Sequence, residues 1–174
     1  MVPPLARTNA EAHLFMDLRP CDGCGERGFT GRSTVLLVDG ELCSRHTGPC
    51  RRCSTPRTFT FRLPEDARLP VERAVTFGGP EPSELLDPGE WLSVADLASR
   101  HAVDDSDLAL AAAAVDEVLK FIPEGADQVP AGTFWTEDGR DAHEREPGRF
   151  RRHRLEAVAA TYRDLAARMR DSGR

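Results

Sequence analysis

Two short cysteine motifs constrain this chain more than anything else in it. Cys21-Asp22-Gly23-Cys24 and Cys50-Arg51-Arg52-Cys53 are separated by 25 residues, and the stretch from Cys21 to Cys53 holds all five cysteines of the 174-residue chain. A CxxC turn presents two thiolates to one ion while nearby backbone N–H groups offset their negative charge. Two such turns complete a tetrahedron of four sulfurs, the arrangement of structural zinc. Gly25 directly follows the first pair, where a tight turn needs a residue that tolerates permissive φ values.

The spacing therefore predicts Cys21, Cys24, Cys50 and Cys53 as ligands of one zinc ion. A hairpin of this size cannot bury enough apolar surface to fold alone, and zinc binding contributes on the order of 10 kcal/mol to such a module. Four thiolates leave no open position for water or substrate, so the expected site is structural and not catalytic. Cys43 is left over. It stands three residues before His46, and this Cys-x2-His pair offers alternative ligands; otherwise Cys43 reads as a small buried hydrophobe on a strand. Disulfides and an iron site are the weaker readings, disulfides because the count is odd and clustered cysteines in a reducing compartment are more often metal thiolates.

The residues between and after the pairs read as strands. Ser33–Val38 is β-branched and apolar, Asp39-Gly40 is a favoured two-residue hairpin turn, and Glu41–Arg45 returns. Thr58-Phe59-Thr60-Phe61-Arg62-Leu63 alternates as a third strand, closed by Pro64. With these residues in place, residues 20–63 resemble the zinc ribbons. The likeness rests on Cys21–Gly25, the hairpin and the knuckle Cys50–Cys53 with its following strand, and it departs from the commonest form in having Ser54 where glycine often stands. The resemblance implies a metal-held β module and no particular activity, since zinc ribbons serve in transcription factors, ribosomal proteins, enzymes and structural appendages.

The remainder reads as mostly helical. Thr8 and Glu11 have capping-box spacing ahead of a short N-terminal helix in residues 1–19, favoured by the cap and the alanine content although Ala10, Ala12, Leu14, Met16 and Leu18 also alternate as a strand would. Residues 64–92 are acidic and rich in Pro and Gly and read as a linker, with a short strand around residues 74–77 and a single turn around residues 83–86. Residues 93–174 form the helical region: a helix starting near Ser93, a second behind Asp104 with Leu108, Ala111, Ala112, Val115, Val118, Leu119 and Ile122 on one stripe, and a last one from about Phe150. The face Leu155–Val158–Tyr162–Leu165 of the last helix is expected to dock on the helix at 107–121. The fold class expected is α+β.

Charge is unevenly distributed. Residues 1–62 carry 9 Arg against 6 acids, residues 63–147 carry 6 basic and 20 acidic residues, and residues 148–174 carry 8 Arg against 3 acids. Such a layout suits ends that fold back on the middle, or a middle that meets a basic partner. No apolar run is long enough to span a bilayer, and the N-terminus lacks the hydrophobic core of a secretory signal. The expected location is cytoplasmic, with no membrane partner.

Function is less constrained. The five histidines are scattered, and no HExxH, nucleophile-elbow or phosphate-loop context is present, so an enzyme is the third-ranked reading. The arginines at 27, 32, 45, 51, 52, 57 and 62 make nucleic acid a possible partner, opposed by the acidic middle, with which they are equally able to pair. The acidic middle favours a protein partner that is itself basic. Its candidate contacts are Trp91, Glu137, Asp138 and Asp141, although Trp91 and Trp135 each read more readily as core residues. The segments around Arg7–Leu18, Asp116–Asp127 and Pro147–Ala157, taken with the ribbon, resemble a group of uncharacterised bacterial proteins. That resemblance spans most of the chain and implies no activity. The sequence thus points to a non-catalytic, zinc-containing protein-binding module, with toxin immunity or adaptor work as its specific form.

Overall fold

The structure, a computed structural model, describes residues 2–65 and 76–172. Its architecture is α+β, and the chain divides into two compact units, Met1–Leu69 with Ser83–Leu85 and Pro70–Pro82 with Leu86–Arg174.

The first unit opens with helix α1 (Asn9–Leu18), started by Thr8, whose side chain accepts from the Glu11 N–H. Three antiparallel strands follow in the spatial order β1 (Arg32–Val38), β2 (Glu41–Pro49), β3 (Pro56–Arg62). Asp39 and Gly40 both take positive φ and join the pair Val38–Glu41, the two-residue hairpin the sequence calls for. The Thr-Phe alternation of β3 sorts its side chains. Phe59 and Phe61 meet Phe15 of α1 edge-on, and His46, beside Phe59 in the ladder, meets His13. The other face carries Thr58 and Thr60, aligned with Thr47 and Arg45 of β2 and then Arg32 and Thr34 of β1.

The buried carboxylate of Glu11 is matched by a cation. Glu11 is fully buried and accepts from the Arg7 guanidinium at 2.6 Å and from the Ser83 hydroxyl at 2.7 Å. Glu84 accepts from the Leu5 N–H and pairs with Arg62 at 3.0 Å. Ser83–Leu85, in the middle of the expected linker, is thus fastened to the N-terminal unit by side-chain hydrogen bonds. Residues 74 and 75 of the expected short strand lie outside the described residues, and Thr76 and Phe77 are not in a strand.

The second unit holds α2 (Pro88–Arg100), α3 (Asp105–Leu119), α4 (Glu137–Arg145) and α5 (Arg152–Ser172), with 3-10 turns at Ala131–Thr133 and Pro147–Phe150. Helix α2 begins at Pro88, not Ser93: Asp87 accepts from the N–H groups of Gly89 and Glu90, and the Glu90 carboxylate returns to the Asp87 N–H. A proline in the first turn lacks only an N–H that has no helical partner anyway, so Asp87-Pro88 opens a helix where a breaker was expected. Asp104 caps α3 as the sequence predicts. Helix α3 packs against both α2 and α5, and Ala111, Ala112 and Ala114 are buried along it, so the single apolar stripe of the sequence is in fact burial on two sides. Alanine allows that because it lets neighbouring helices approach without a side-chain entropy cost.

Helix α5 docks on α3 through Leu155, Ala159 and Ala166, with Tyr162 half-buried, while Leu165 and Met169 stay exposed. The C-terminal arginines meet the acids of the middle: Arg149 pairs with Asp96 at 2.6 Å, Arg163 with Asp116 at 2.5 Å and Arg170 with Asp105 at 3.3 Å. The uneven charge of the sequence is in this part internal pairing.

Candidate metal centre

The four sulfurs predicted from the spacing come together. The Sγ atoms of Cys21, Cys24, Cys50 and Cys53 all lie within 4.8 Å of one another. Cys21 faces Cys53 and Cys24 faces Cys50, each pair at 3.6 Å. That is far beyond a disulfide bond of about 2.0 Å. It is close to the sulfur–sulfur edge of about 3.8 Å that follows from a tetrahedral metal with zinc–sulfur bonds of about 2.3 Å. The donor set is four thiols close enough to share one ion and fits zinc. Cys43 and His46 fall outside the group; Cys43 is fully buried on β2, on the opposite face from His46.

Two knuckles of the same backbone design hold the sulfurs. In the first, the Cys21 N–H donates to the Glu26 carbonyl at 2.8 Å and the Gly25 N–H to the Cys21 carbonyl at 2.7 Å; in the second, the Cys50 N–H donates to the Thr55 carbonyl at 2.8 Å and the Ser54 N–H to the Cys50 carbonyl at 2.9 Å. The residue that closes each turn is left-handed, Gly25 at φ 74 and Ser54 at φ 62. Ser54 thus occupies the glycine position and adopts the glycine conformation, which explains the departure noted in the sequence. The second knuckle is also the β2–β3 connection, since Pro49 pairs with Pro56 immediately outside it.

The first knuckle leaves α1 without a strand to anchor it, and Arg57 of β3 supplies the anchor. Its guanidinium is buried, donates to the Arg19 carbonyl at 2.7 Å and the Gly28 carbonyl at 2.8 Å, and lies against the rings of Phe29 and Phe59. Arg19 and Gly28 flank the first knuckle, so one planar side chain fixes both of its ends to the strand that follows the second knuckle. Arg57 is one of the arginines that give the module its positive balance, and its burial removes it from the surface. Two further residues without a ligand signature shape the site. Thr55 places its hydroxyl 3.1 Å from Cys53 Sγ, and a side chain at Gly23 would strike that hydroxyl at 2.8 Å.

The thiols are electrostatically unequal. The Thr55 hydroxyl, then the Thr55 N–H and the Cys24 thiol, pull Cys53 down to about 6. The N–H groups of Cys53 and Arg52 lower Cys50. Cys24 is pushed up to about 12: the Glu26 N–H favours its thiolate, but hydrogen bonds shared with Cys53, Cys50 and Cys21, together with burial, outweigh it. Cys50 and Cys53 thus lose their protons more readily than an ordinary thiol, and Cys24 less readily. This is how a four-sulfur site behaves when it is arranged to carry negative charge.

The other sequence candidates lie in the second unit. Trp91 is fully buried in α2, its ring 4.8 Å from Phe77, and offers no surface to a partner. Its Nε1 hydrogen-bonds to no described residue. Trp135, expected in the core, is 44% exposed: it precedes the α4 cap Thr136 and rests one side of its ring near Phe121. Glu137, Asp138 and Asp141 are exposed on α4. No helix among the described residues is long and apolar enough to cross a membrane. No protein-family model, curated protein or solved structure matches the chain.

Proposed function

We propose that this chain is a zinc-containing, non-catalytic protein-binding module of the cytoplasm, in which a zinc ribbon held by Cys21, Cys24, Cys50 and Cys53 serves as scaffold and the acidic surface of the second unit meets a basic protein. The observation that carries the zinc reading is the convergence of four sulfurs, all within 4.8 Å of one another, at the tips of two matching knuckles. A closed four-sulfur site supplies folding energy and no reactive position.

The protein-binding reading is supported by α4. Glu137, Asp138, Asp141 and Glu144 are exposed along it, and the exposed ring of Trp135 stands at its entrance. A partly exposed tryptophan beside a charged rim is the composition of an interface anchor. Toxin immunity or adaptor work is the form this takes in our reading, since an acidic face is suited to cover a phosphate-binding cleft.

Nucleic-acid binding is the second reading, and the outer face of the ribbon sheet favours it. Arg32 and Arg45 are exposed there among Thr34, Thr47 and Thr58, a set suited to phosphate contacts. The experiment is affinity purification of the tagged chain from its native cells at low salt, followed by mass spectrometry. A stoichiometric basic protein that is lost when Trp135→Ala is combined with Asp138→Lys and Asp141→Lys supports the first reading. Nuclease-sensitive material released by Arg32→Glu and Arg45→Glu, with no such protein, replaces it with the second.

A further inference from the structure

The first unit contains a second feature that the cysteine cluster does not use, a groove of about 440 Å³ between α1 and the β1–β2 hairpin. Its floor is β2, where residues 42, 44 and 46 share one face. Ser44 and His46 are both more than nine-tenths buried, and both line the groove. Neither side chain hydrogen-bonds to any described residue, and their polar atoms are not sealed off but open to the groove. Around them the walls are largely apolar, with Ala12 of α1, Val35 of β1 and Leu42 of β2.

Buried polar side chains of native proteins are nearly always satisfied, by protein, ordered water or ligand. Here two such groups, one residue apart on the same strand face, look into one cavity whose volume falls within the range of about 300–1,000 Å³ typical of small-molecule sites. We propose that this groove binds a small uncharged molecule that joins an apolar body to an amide- or alcohol-type hydrogen-bonding group.

The chemistry of the lining selects that class. An imidazole and a hydroxyl offer donors and acceptors together, so a ligand with both is matched and a pure hydrocarbon leaves them bare. Arg7 also lines the groove, but its charge is taken by Glu11 at 2.6 Å. Burial, and then the neighbouring His13, lower the pKa of His46, which therefore brings no charge at neutral pH. Glu65 also lines the groove, but at an exposed position where water screens its charge, so a charged ligand that reaches Ser44 and His46 would lose its hydration and find no counter-charge beside them. Val35, 63% exposed, and Leu42, half exposed, form an apolar rim over which such a molecule enters.

The test uses three probes of equal size, benzamide, benzoate and benzylammonium, titrated into the zinc-loaded full chain and followed by NMR of backbone amides and histidine rings. Benzamide is expected to shift Ser33, Val35, Ser44 and His46 saturably, with the two charged probes at least about tenfold weaker. Ser44→Ala, which nearly keeps the side-chain volume and drops the hydroxyl, should weaken benzamide about tenfold. Val35→Trp changes an exposed rim position that a folded chain tolerates, and should abolish binding. Absence of shifts at these residues up to the solubility limit of benzamide overturns the proposal. So does an equal response to the charged probes, or undiminished binding in Val35→Trp.

Discussion

Asp87 Oδ2 accepts hydrogen bonds from both the backbone N–H and the hydroxyl of Thr136, at 2.8 and 2.6 Å. Its other oxygen accepts from the N–H groups of Gly89 and Glu90, and Thr136 Oγ1 in turn accepts from the Gly139 N–H. One fully buried carboxylate therefore starts α2 and, through Thr136, helps start α4. The helices approach so closely that a side chain at Gly139 would overlap the Asp87 carboxylate at 2.3 Å. Asp87→Asn turns an NH2 group toward donors, and is expected to cost about 2–4 kcal/mol. Thermal unfolding of Asp87→Asn, Thr136→Val and the double variant checks this: the cycle should show coupling of about 1–3 kcal/mol between the two sites. Additive losses would mean that the two helix starts are independent.

The cysteine cluster makes a compositional prediction. The purified chain should carry one zinc ion, lost in Cys21→Ser and in Cys50→Ser but retained in Cys43→Ser, because Cys43 lies outside the group of four sulfurs. Stripping the metal with a chelator should unfold residues 20–63, since the module draws on the order of 10 kcal/mol from the ion. Elemental analysis and far-UV circular dichroism read both outcomes. Zinc lost from Cys43→Ser, or iron in place of zinc, would remove the assignment.

Arg57 should matter to metal binding although it touches no sulfur. Its two hydrogen bonds reach the carbonyls of Arg19 and Gly28 on either side of the first knuckle. Lysine keeps the charge but not the planar fork that serves two carbonyls while lying against the rings of Phe29 and Phe59. Arg57→Lys is expected to cost about 2–3 kcal/mol and to lower zinc affinity in a chelator competition. A variant with unchanged affinity would show that the knuckle is preorganised without the clamp.

The cluster was legible because CxxC spacing encodes a local turn, and the sheet because a Thr-Phe alternation and an Asp-Gly turn are period and punctuation within a few residues. The position of Arg57 was not, since nothing near it in the chain marks Arg19 and Gly28 as carbonyls in need of a donor. The start of α2 was hidden by Pro88 and Gly89, which read as breakers until Asp87 is seen to cap them. Burial of α3 on two sides was hidden because alanine is nearly silent in a hydrophobic pattern. The ends-to-middle charge complement was legible in bulk, and its partners, such as Arg163 with Asp116, only in the packing of α5 on α3.

Ser54 offers a test of knuckle strain. At φ 62 it pays a left-handed cost that the equivalent Gly25 avoids. Ser54→Gly should stabilise the zinc-bound chain by about 0.5–1 kcal/mol, and Ser54→Val should destabilise it by about 1–2 kcal/mol, because a β-branched side chain tolerates this region least. Denaturant unfolding of the three forms gives the order. Equal stability of the serine and valine forms would mean that the turn relaxes out of the left-handed region.

His46 makes the prediction with a pH sign. Burial first, and then the charge of His13, whose ring lies 5.7 Å away, push its pKa below the ordinary 6.5. A base depressed in the folded state contributes stability that is fully present above 6.5 and is lost as the pH falls through the lower, folded value. An NMR titration of the histidine rings should therefore place His46 below 6.5. In His13→Ala it should move upward while remaining below 6.5, since burial, the larger cause, is untouched. Removing His13 should accordingly flatten the loss of stability between neutral and mildly acidic pH. Titration of His46 at or above 6.5 would mean that the imbalance is relieved by solvent or a bound group, and an unchanged value in His13→Ala would leave burial as the sole cause.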